Sequence, residues 1–389
     1  MNLRDIATRP GPAHPEPPSP PASVEQYQGV LLGCALGDAV GAWAEGKDPA
    51  EARDYAKHFV RECDFSKVGV HHRGMRMGQY TDDTQLAREL TLSLIDEGDF
   101  DPEDFADRIA RIFAQDQIVG YGRATQEAAV RLLDGVPWEE AGTPPPRAGN
   151  GAAMRAGPVG MLYSHDTAGL LKAAEDQARI THQADMSVAA SVAIAMATAM
   201  CLNASKETSG PQELGWWAWL ARFVCRSNKE LGEDIDILAQ RVFEGRRKSG
   251  WKAGEGDEYD AALEWVLEGD DERWGGVSPW ARSSVLWSLY CLMAHPSDLW
   301  KAIELAITPG GDTDTTAAMA GTLVGAHIGI DKFPKEVLET VAPLIHDVKA
   351  ERYTWEGLAR IAATLHEIVT ADYQKRLAAW QAEQDVSED

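Results

Sequence analysis

Residues 309–329 read PGGDTDTTAAMAGTLVGAHIG, in which an acidic, threonine-rich cluster runs directly into a stretch of small and apolar residues. Apolar residues recur at spacings of three and four over 317–328, a period that predicts an α-helix. The cluster Asp312-Thr313-Asp314-Thr315-Thr316 therefore stands at a helix start. Helix capping is the simplest interpretation of this cluster alone, because a helix start presents unpaired N–H groups and the positive end of the helix dipole.

A second cluster, Thr81-Asp82-Asp83-Thr84, lies 230 positions earlier (312 minus 82) and also precedes a helical stretch with periodic leucines. Capping explains either cluster alone, but the two together carry more carboxylates than capping requires, and hard divalent cations prefer many oxygen ligands. If the two helix starts meet in the fold, they can hold one or two Mg²⁺ or Mn²⁺ ions. The candidate ligands are Thr81, Asp82, Asp83, Asp312, Asp314 and Thr315.

Two other motifs fit the stretch 309–329. Its acidic cluster satisfies DxDxT, the nucleophile loop of haloacid-dehalogenase-like phosphatases. That loop should follow an apolar strand, whereas Pro309-Gly310-Gly311 precedes the cluster and only 77 residues (389 minus 312) remain for such a domain. An EF-hand is excluded because the sixth loop position is Ala317, where glycine is required, and the twelfth is Leu323, where glutamate is required.

The segment GCALGDAVGAWAEG begins at Gly33 and repeats glycine at Gly37 and Gly41. Glycines at this spacing fall on one helix face and predict close packing against a neighbouring helix, whereas the pattern fits neither common phosphate-binding loop. Asp38 lies among small apolar residues, and a buried carboxylate needs a partner, so we expect it to bond to a neighbouring helix terminus. Glu45 follows where this helix should end.

A second glycine-rich segment, AGNGAAMRAGPVG, contains Gly149-Asn150-Gly151 and is expected to lead into a helix with Arg155 on its first turns. Exposed N–H groups before a helix suit a diphosphate, and Arg155 could add a bidentate contact. The alternative is an ordinary turn with a solvent-facing arginine. His182, in the stretch ITHQADMS, precedes another helix and is either a ligand contact or a structural residue.

Helical periodicity extends over most of the chain from Val24 onward, while runs of alternating Val, Ile and Thr are scarce. The sequence therefore predicts an all-α fold of roughly a dozen helices. The predicted helical windows are 84–97, 102–114, 153–162, 185–202, 214–226, 281–293, 317–328, 334–348 and 355–371.

Composition restricts the classes of function. The 389 residues are 44% hydrophobic and carry a formal net charge of −24, which predicts a folded protein that does not bind nucleic acid or anionic membranes. No uninterrupted apolar run reaches the length of a membrane span, and the start MNLRDIATRPG lacks the apolar part of a secretory signal. Five widely spaced cysteines without a CxxC pair argue against disulfides and zinc, so we expect a cytoplasmic protein.

The ends of the chain differ from its middle. Residues 1–23 contain seven prolines between Pro10 and Pro21 and little to bury, which predicts a disordered arm, either a linker or a segment that binds a protein partner. We expect one domain over 24–372. A charged C-terminal tail, 373–389, is expected to fray into solvent.

Four elements in fixed order, GCALGDAVGAWAEG, YTDDTQLA, GNGAAMR followed by THQAD, and PGGDTDTTAAMAGTLVGAHIG, resemble the ADP-ribosylglycohydrolase family, which includes dinitrogenase reductase-activating glycohydrolase. The resemblance extends from about Gln26 to Leu365. It implies an all-α orthogonal multi-helix bundle with two Mg²⁺ or Mn²⁺ ions in a cleft. It also implies cleavage of the bond between the distal ribose C1 of ADP-ribose and a protein side chain.

The resemblance also implies roles for single residues. Thr81, Asp82 and Asp83 match the first set of metal ligands of the family, and Asp312, Asp314 and Thr315 match the second. Glu45 matches a glutamate on a mobile loop over the metals, although the residues around it depart from the commonest forms. The substrate-contacting positions that the resemblance implies are Asn150, Gly151, His182, Gly310 and Gly311, to which the arginine argument above adds Arg155.

Paired cations can bind ribose hydroxyls and lower the pKa of a water, while a carboxylate serves as acid or base. The candidates for that carboxylate are Glu45, Asp82 and Asp314. The leading hypothesis is removal of ADP-ribose from a protein, with arginine as the first acceptor and serine as the second. Hydrolysis of a small molecule such as O-acetyl-ADP-ribose is an alternative, as is a non-catalytic immunity or binding protein that uses its arm against a toxin.

Overall fold

The computed structural model describes residues 17–66, 68, 74–204 and 210–387, with side chains as far as Gln384. Residues 1–16 of the predicted arm and the last two residues of the predicted tail lie outside the described residues. Within the described ranges the chain forms seventeen α-helices and a few isolated β-bridges, with no β-strand, which confirms the all-α prediction.

The α-helices, in chain order, are α1 (Val24–Gly41), α2 (Pro49–Tyr55), α3 (Asp82–Glu97), α4 (Pro102–Ala114), α5 (Arg123–Leu133), α6 (Trp138–Ala141), α7 (Gly157–Leu162), α8 (Thr167–Arg179), α9 (Asp185–Leu202), α10 (Leu214–Val224), α11 (Lys229–Ser249), α12 (Gly256–Val266), α13 (Ala281–Ala294), α14 (Leu299–Ile307), α15 (Thr313–Ile328), α16 (Lys335–Thr340) and α17 (Trp355–Ser387). A π-helical turn, Ala56–Val60, continues α2, and three short 3₁₀ turns lie at Glu272–Trp274, Ile330–Lys332 and Ala342–Leu344.

Helices α1 and α15 pack backbone to backbone and run antiparallel. A Cβ atom at Gly33 would lie 2.1 Å from the carbonyl oxygen of Gly321, and one at Gly37 would lie 2.0 Å from that of Ala317. Glycine is therefore required at both positions. This pairing confirms the packing interpretation of the glycine spacing, and it brings the end of α1 to the start of α15.

The centre of the molecule consists of helices buried on all sides. Helices α1, α9, α13 and α15 contribute small and apolar residues to one core cluster. Helix α9 is long and apolar enough to span a membrane by length and composition, but 83% of it is buried inside the protein, as in a core helix. All five cysteines are free, as their spacing predicts.

Helix boundaries agree closely with the predicted windows for α4 and α9 and differ in three places. Helix α7 begins at Gly157 because Pro158 fits the first turn of a helix, so Arg155 precedes the helix instead of lying on it. The window 334–348 divides into α16 and a 3₁₀ turn that contains Pro343, which lacks a backbone N–H. Helix α17 continues without interruption to Ser387, through most of the predicted tail.

Candidate functional site

The start of α3 is held by a carboxylate from another helix. Asp38 of α1 is completely buried and accepts hydrogen bonds from the backbone N–H groups of Thr81 and Thr84, each at 3.0 Å. The hydroxyls of the same threonines donate to it at 2.8 and 2.6 Å. Asp38 therefore caps α3 from outside that helix, as the sequence predicts for this residue. The cap fixes Asp82 and Asp83 relative to α1.

The two Asp/Thr clusters and Glu45 meet in one cleft of about 630 Å³. Carboxylate oxygens of Glu45, Asp312 and Asp314 lie within 4.8 Å of one another. The antiparallel α1–α15 pair explains this, because Glu45 follows the end of α1 and Asp312 precedes the start of α15. The acidic and hydroxyl side chains that line the cleft near this point are Glu45, Asp82, Asp83, Asp312, Asp314 and Thr315.

The electrostatics of this cluster favour a bound cation. Burial, followed by the charges of neighbouring carboxylates, raises the pKa values of Asp83 and Asp312 well above the ordinary range. Burial also raises the pKa of Asp38 to about 7. Among the described residues the buried Oδ1 atom of Asp83 has no hydrogen-bond partner. An all-oxygen donor set of this charge fits Mg²⁺ or Mn²⁺, which would supply the missing positive charge.

Three predicted residues occupy supporting positions beside the cleft instead of lining it. The Thr81 hydroxyl is buried and directed to Asp38 and Asp83. Gly310 and Gly311 have φ values of +76° and +89°, and the carbonyl of Gly311 accepts a hydrogen bond of 2.9 Å from the N–H of Gly46. These glycines therefore connect the turn that carries Glu45 to the chain before Asp312.

The Gly149-Asn150-Gly151 segment forms another wall of the same cleft. The buried amide Nδ2 of Asn150 donates to Oδ2 of Asp312 at 2.6 Å, so Asn150 orients a candidate metal ligand. A Cβ atom at Gly149 or Gly151 would lie 3.3 Å from Nε2 of His182, and one at Gly151 would also lie 2.9 Å from Cε1. Because neither glycine has a side chain, the imidazole of His182 can pack directly against the loop.

Arg155 is completely buried and does not line the cleft, contrary to the predicted phosphate contact. Its guanidinium donates to the side chain and backbone carbonyl of Gln177, at 2.8 and 2.9 Å, and to the hydroxyl of Thr181 at 2.8 Å. Burial lowers the pKa of Arg155 to about 9, which leaves it protonated at neutral pH. Its role is to hold Thr181, which precedes His182.

The hydrogen bonds around Thr181 define the tautomer of His182. Burial and the charge of Arg155 lower the pKa of His182 to about 3, so the ring is neutral. The Thr181 hydroxyl lies 2.8 Å from Nδ1 of His182, the only acceptor for its proton among the described residues. Nδ1 therefore accepts, and Nε2 carries the hydrogen on the side of the glycine segment. His182 lines the cleft with this donor.

A third part of the cleft wall carries no recognisable sequence motif and was not predicted. It comes from the start of α5 and the loop before it, from Arg147 between α6 and α7, and from the segment between α12 and α13. These residues give the cleft its aromatic surface and two cations. They are Tyr121, Arg123, Arg147, Trp274 and Trp280.

The fold and the cleft together define an all-helical protein with a candidate divalent-metal centre between two helix starts. The family model described as ADP-ribosylglycohydrolase matches residues 19–375, so the chain belongs to that family. Human ADP-ribosylhydrolase ARH3 is 30% identical over 337 residues, which cover 80% of this chain and 88% of that protein.

A second relative, from Pseudomonas putida, is described as ADP-ribosylarginine hydrolase Tri1. It is 27% identical over 335 residues, which cover 83% of this chain and 76% of that protein. A solved structure described as an ADP-ribosylglycohydrolase-related protein complex matches with a TM-score of 0.62 and 26% identity. The match covers 89% of this chain and 98% of that one, in agreement with the predicted fold.

Proposed function

We propose that this protein is a metal-dependent hydrolase that removes ADP-ribose from a protein side chain, with arginine as the first acceptor to test. One observation carries the proposal: carboxylates from two distant helix starts converge beside a glycine-lined wall that presents a hydrogen-bond donor. Family membership supports the reaction class, and the description of the Pseudomonas relative supports arginine. Serine remains the second acceptor.

In this proposal Asp82, Asp83, Asp312, Asp314 and Thr315 hold two Mg²⁺ or Mn²⁺ ions. When bound, such ions orient sugar hydroxyls and lower the pKa of a nearby water. Thr81 supports this set through Asp38 and Asp83. Asn150 maintains the orientation of Asp312 through its amide hydrogen bond.

The wall formed by Asn150 and Gly151 is proposed to receive the diphosphate and ribose of the substrate. The Nε2–H of His182 donates to an oxygen of this part of the ligand. Gly310 and Gly311 act indirectly, because they anchor the turn that carries Glu45. Arg123 and Arg147 line the same cleft and provide positive charge for a diphosphate.

Glu45 is the proposed acid/base group. It follows a helix end, it is the least buried member of the carboxylate triad, and Asp82 and Asp314 are needed as ligands. Its carboxylate accepts a proton from water as the new C1–O bond forms. The protonated carboxyl of Glu45 gives that proton to the leaving nitrogen or oxygen as its bond to C1 breaks, so that ADP-ribose and the unmodified side chain result.

The experiment measures ADP-ribose release from arginine-modified and serine-modified peptides and from O-acetyl-ADP-ribose, with Mg²⁺, with Mn²⁺ and with EDTA. We expect the arginine peptide to be the fastest substrate and EDTA to stop the reaction. Asp314→Ala should lower release about 100-fold or more, because even residues that only support metal ligands cost about 10–100-fold when they are changed.

Asp271→Asn is the matched control. Asp271 also lines the cleft, but it pairs with Arg273 at 2.6 Å and does not belong to the carboxylate triad. This variant should retain activity within about threefold, as expected for an exposed ion pair of small energy. Full activity of Asp314→Ala, or equal release in EDTA, would exclude the metal-dependent reaction.

A further inference from the structure

A second concave site lies apart from the acidic cleft, between α3, α4, the segment 349–353 and α17. Its volume is about 980 Å³, compared with about 630 Å³ for the cleft. Six cationic and three acidic side chains line it, the latter being Glu89, Asp96 and Glu351, so cations are in excess although the chain has a formal net charge of −24. We call this site the basic groove, and its cationic residues are Arg88, Arg108, Arg111, Lys349, Arg352 and Arg360.

Two of these six cations are neutralised within the protein. Arg88 is buried and pairs with Asp347 at 2.5 Å and with Glu89 at 2.8 Å. Arg108 pairs with Asp96 and Asp104, each at 2.6 Å. Buried guanidinium groups with this many acidic partners serve structure and are not available to a ligand.

The other four cations are exposed. Arg111 and Arg360 form no ion pair with any described residue, Arg352 donates to the hydroxyl of Tyr353, and Lys349 contacts Asp116, which is itself largely exposed. Exposed pairs of this kind contribute little energy and exchange readily for a stronger anion. Convergent guanidinium groups are suited to phosphate, which they bind through two parallel hydrogen bonds.

One wall of the basic groove is fixed in advance. Asp347 is completely buried, accepts hydrogen bonds from Gln85 and Arg88, and holds the N–H of Lys349 at 2.8 Å. The guanidinium carbons of Arg88 and Arg352 lie 3.9 and 4.6 Å from the ring centre of Tyr353. A wall ordered before binding lowers the entropy cost of holding a ligand.

We propose that the basic groove binds a small anion with two or more phosphates, either free or as part of a nucleotide. The site is separate from the proposed reaction, because the groove and the cleft share none of their lining residues. The groove would select its ligand by the negative charge of the phosphates and by the fit of phosphate oxygens to the planar guanidinium groups. Binding is expected to weaken as salt concentration rises.

The test is calorimetric titration of the whole protein with inorganic pyrophosphate in EDTA, so that divalent ions in the cleft play no part. The wild type should bind, and the double variant Arg111→Gln/Arg360→Gln should lose tenfold or more in affinity. Both changes are at exposed positions, and an unchanged melting temperature confirms that the variant is folded. The matched control, Arg222→Gln/Arg247→Gln, removes the same charge at exposed positions on α10 and α11 that line neither site, and it should bind as the wild type does.

Parallel titrations with tripolyphosphate and ATP distinguish the two sources of phosphate. Tighter binding of ATP indicates a nucleotide, and equal binding indicates recognition of the phosphate chain alone. The proposal is overturned if the wild type does not bind pyrophosphate or if the groove variant binds it unchanged. Loss of binding in the Arg222/Arg247 control, or tighter binding of a hexaglutamate peptide than of pyrophosphate, would also overturn it.

Discussion

Thr181 lies between a buried arginine and the histidine that faces the cleft, and its hydroxyl serves both neighbours. It accepts a hydrogen bond from Arg155 and donates one to Nδ1 of His182. Either ring nitrogen of a neutral imidazole can carry the hydrogen, so this hydroxyl decides which nitrogen donates into the cleft. Under the proposed function, Thr181 would therefore control the contact between His182 and the ligand without touching the ligand itself.

Thr181→Val keeps the shape of this side chain and removes the hydroxyl. We expect the His182 ring to populate both tautomers and the Michaelis constant for the ADP-ribosylated peptide to rise up to about tenfold, the equivalent of one hydrogen bond of about 1 kcal/mol. The turnover number should change little. Nitrogen-15 NMR of the imidazole reports the tautomer directly.

Thr181→Ser is the control, because it restores the hydroxyl without the methyl group. It should preserve the wild-type tautomer and the wild-type Michaelis constant. If the valine variant shows the wild-type nitrogen-15 spectrum, the hydroxyl does not set the tautomer. If the spectrum changes and the Michaelis constant does not, His182 makes no contact with the substrate.

For single residues, the need of a buried charge for a partner could be predicted from the sequence. The direction in which a side chain points could not. The need of Asp38 for a helix terminus follows from its apolar neighbours, and the structure confirms it. Arg155 could not be placed, because its partners Gln177 and Thr181 lie more than 20 positions later and its burial depends on how α8 packs. Sequence context shows the charge of an arginine but not the side of the loop to which it turns.

At the scale of elements, the α1–α15 pair determines where the acidic residues meet. Four close backbone contacts along α1, at Gly29, Gly33, Gly37 and Gly41, hold the two helices in one register. A shift by one turn would move Glu45 by about 5.4 Å relative to Asp312. The geometry of the cleft therefore depends on residues that have no side chains.

Gly37→Ala tests this dependence. The added methyl carbon would lie 2.0 Å from the backbone oxygen of Ala317, so the helices must separate. We expect the free energy of unfolding to fall by about 3 kcal/mol or more. This is more than overpacking against side chains usually costs, because the methyl group meets backbone, which cannot move aside. Chemical denaturation followed by circular dichroism measures it.

Gly215→Ala provides the comparison. Gly215 lies in α10, and a Cβ atom there would meet nothing within 4 Å. This variant should be as stable as the wild type or more stable by up to about 1 kcal/mol, since alanine favours helix. Equal stability of the two variants would show that the close approach of α1 and α15 is not needed.

Helices with a complete apolar period were predictable, as α4 and α9 show. Helix α11 was missed, because its many charged residues obscure the apolar stripe of Leu231, Ile235, Leu238 and Val242. The antiparallel partner of α1 could not be chosen from spacing alone, because several segments of this chain are rich in small residues. The choice depends on contacts between residues almost 300 positions apart.

At the scale of the whole molecule, several carboxylates are buried close together in a protein whose net charge is already strongly negative. The pKa of Asp38 is raised from the ordinary 3.8 to about 7, and those of Asp83 and Asp312 are raised as well. Between pH 4 and 7 the metal-free folded protein keeps protons that the unfolded chain has lost. The free energy of unfolding that these protonated carboxylates contribute is therefore complete below about pH 4. It is lost as the pH rises through about 7.

Divalent ions should reverse this loss, because they stabilise the ionised carboxylates and compete with protons. We expect the increase in melting temperature on addition of Mn²⁺, relative to EDTA, to be small at pH 5 and to grow by several degrees at pH 7.5. Differential scanning fluorimetry at both pH values measures the increase. An increase of equal size at both values, or one that persists in Asp314→Ala, would contradict the expectation.

The family could be predicted from four motifs in order, and the structural and family comparisons confirm it. The basic groove could not, because Arg111 on α4, Lys349 in a loop and Arg360 on α17 come from three separate parts of the chain. The prediction of one domain that extends from residue 24 to residue 372 stays a prediction. Only tertiary packing brings such distant charges to one surface.

The central claim is that distant helix starts jointly bind paired divalent ions. The most direct measurement is an anomalous difference map from crystals grown with Mn²⁺. We predict two peaks bounded by Asp82, Asp83, Asp312 and Asp314, about 3.5–4 Å apart, as in other two-metal sites. A map with no peak at this position, or with manganese bound only elsewhere on the protein, would contradict the claim.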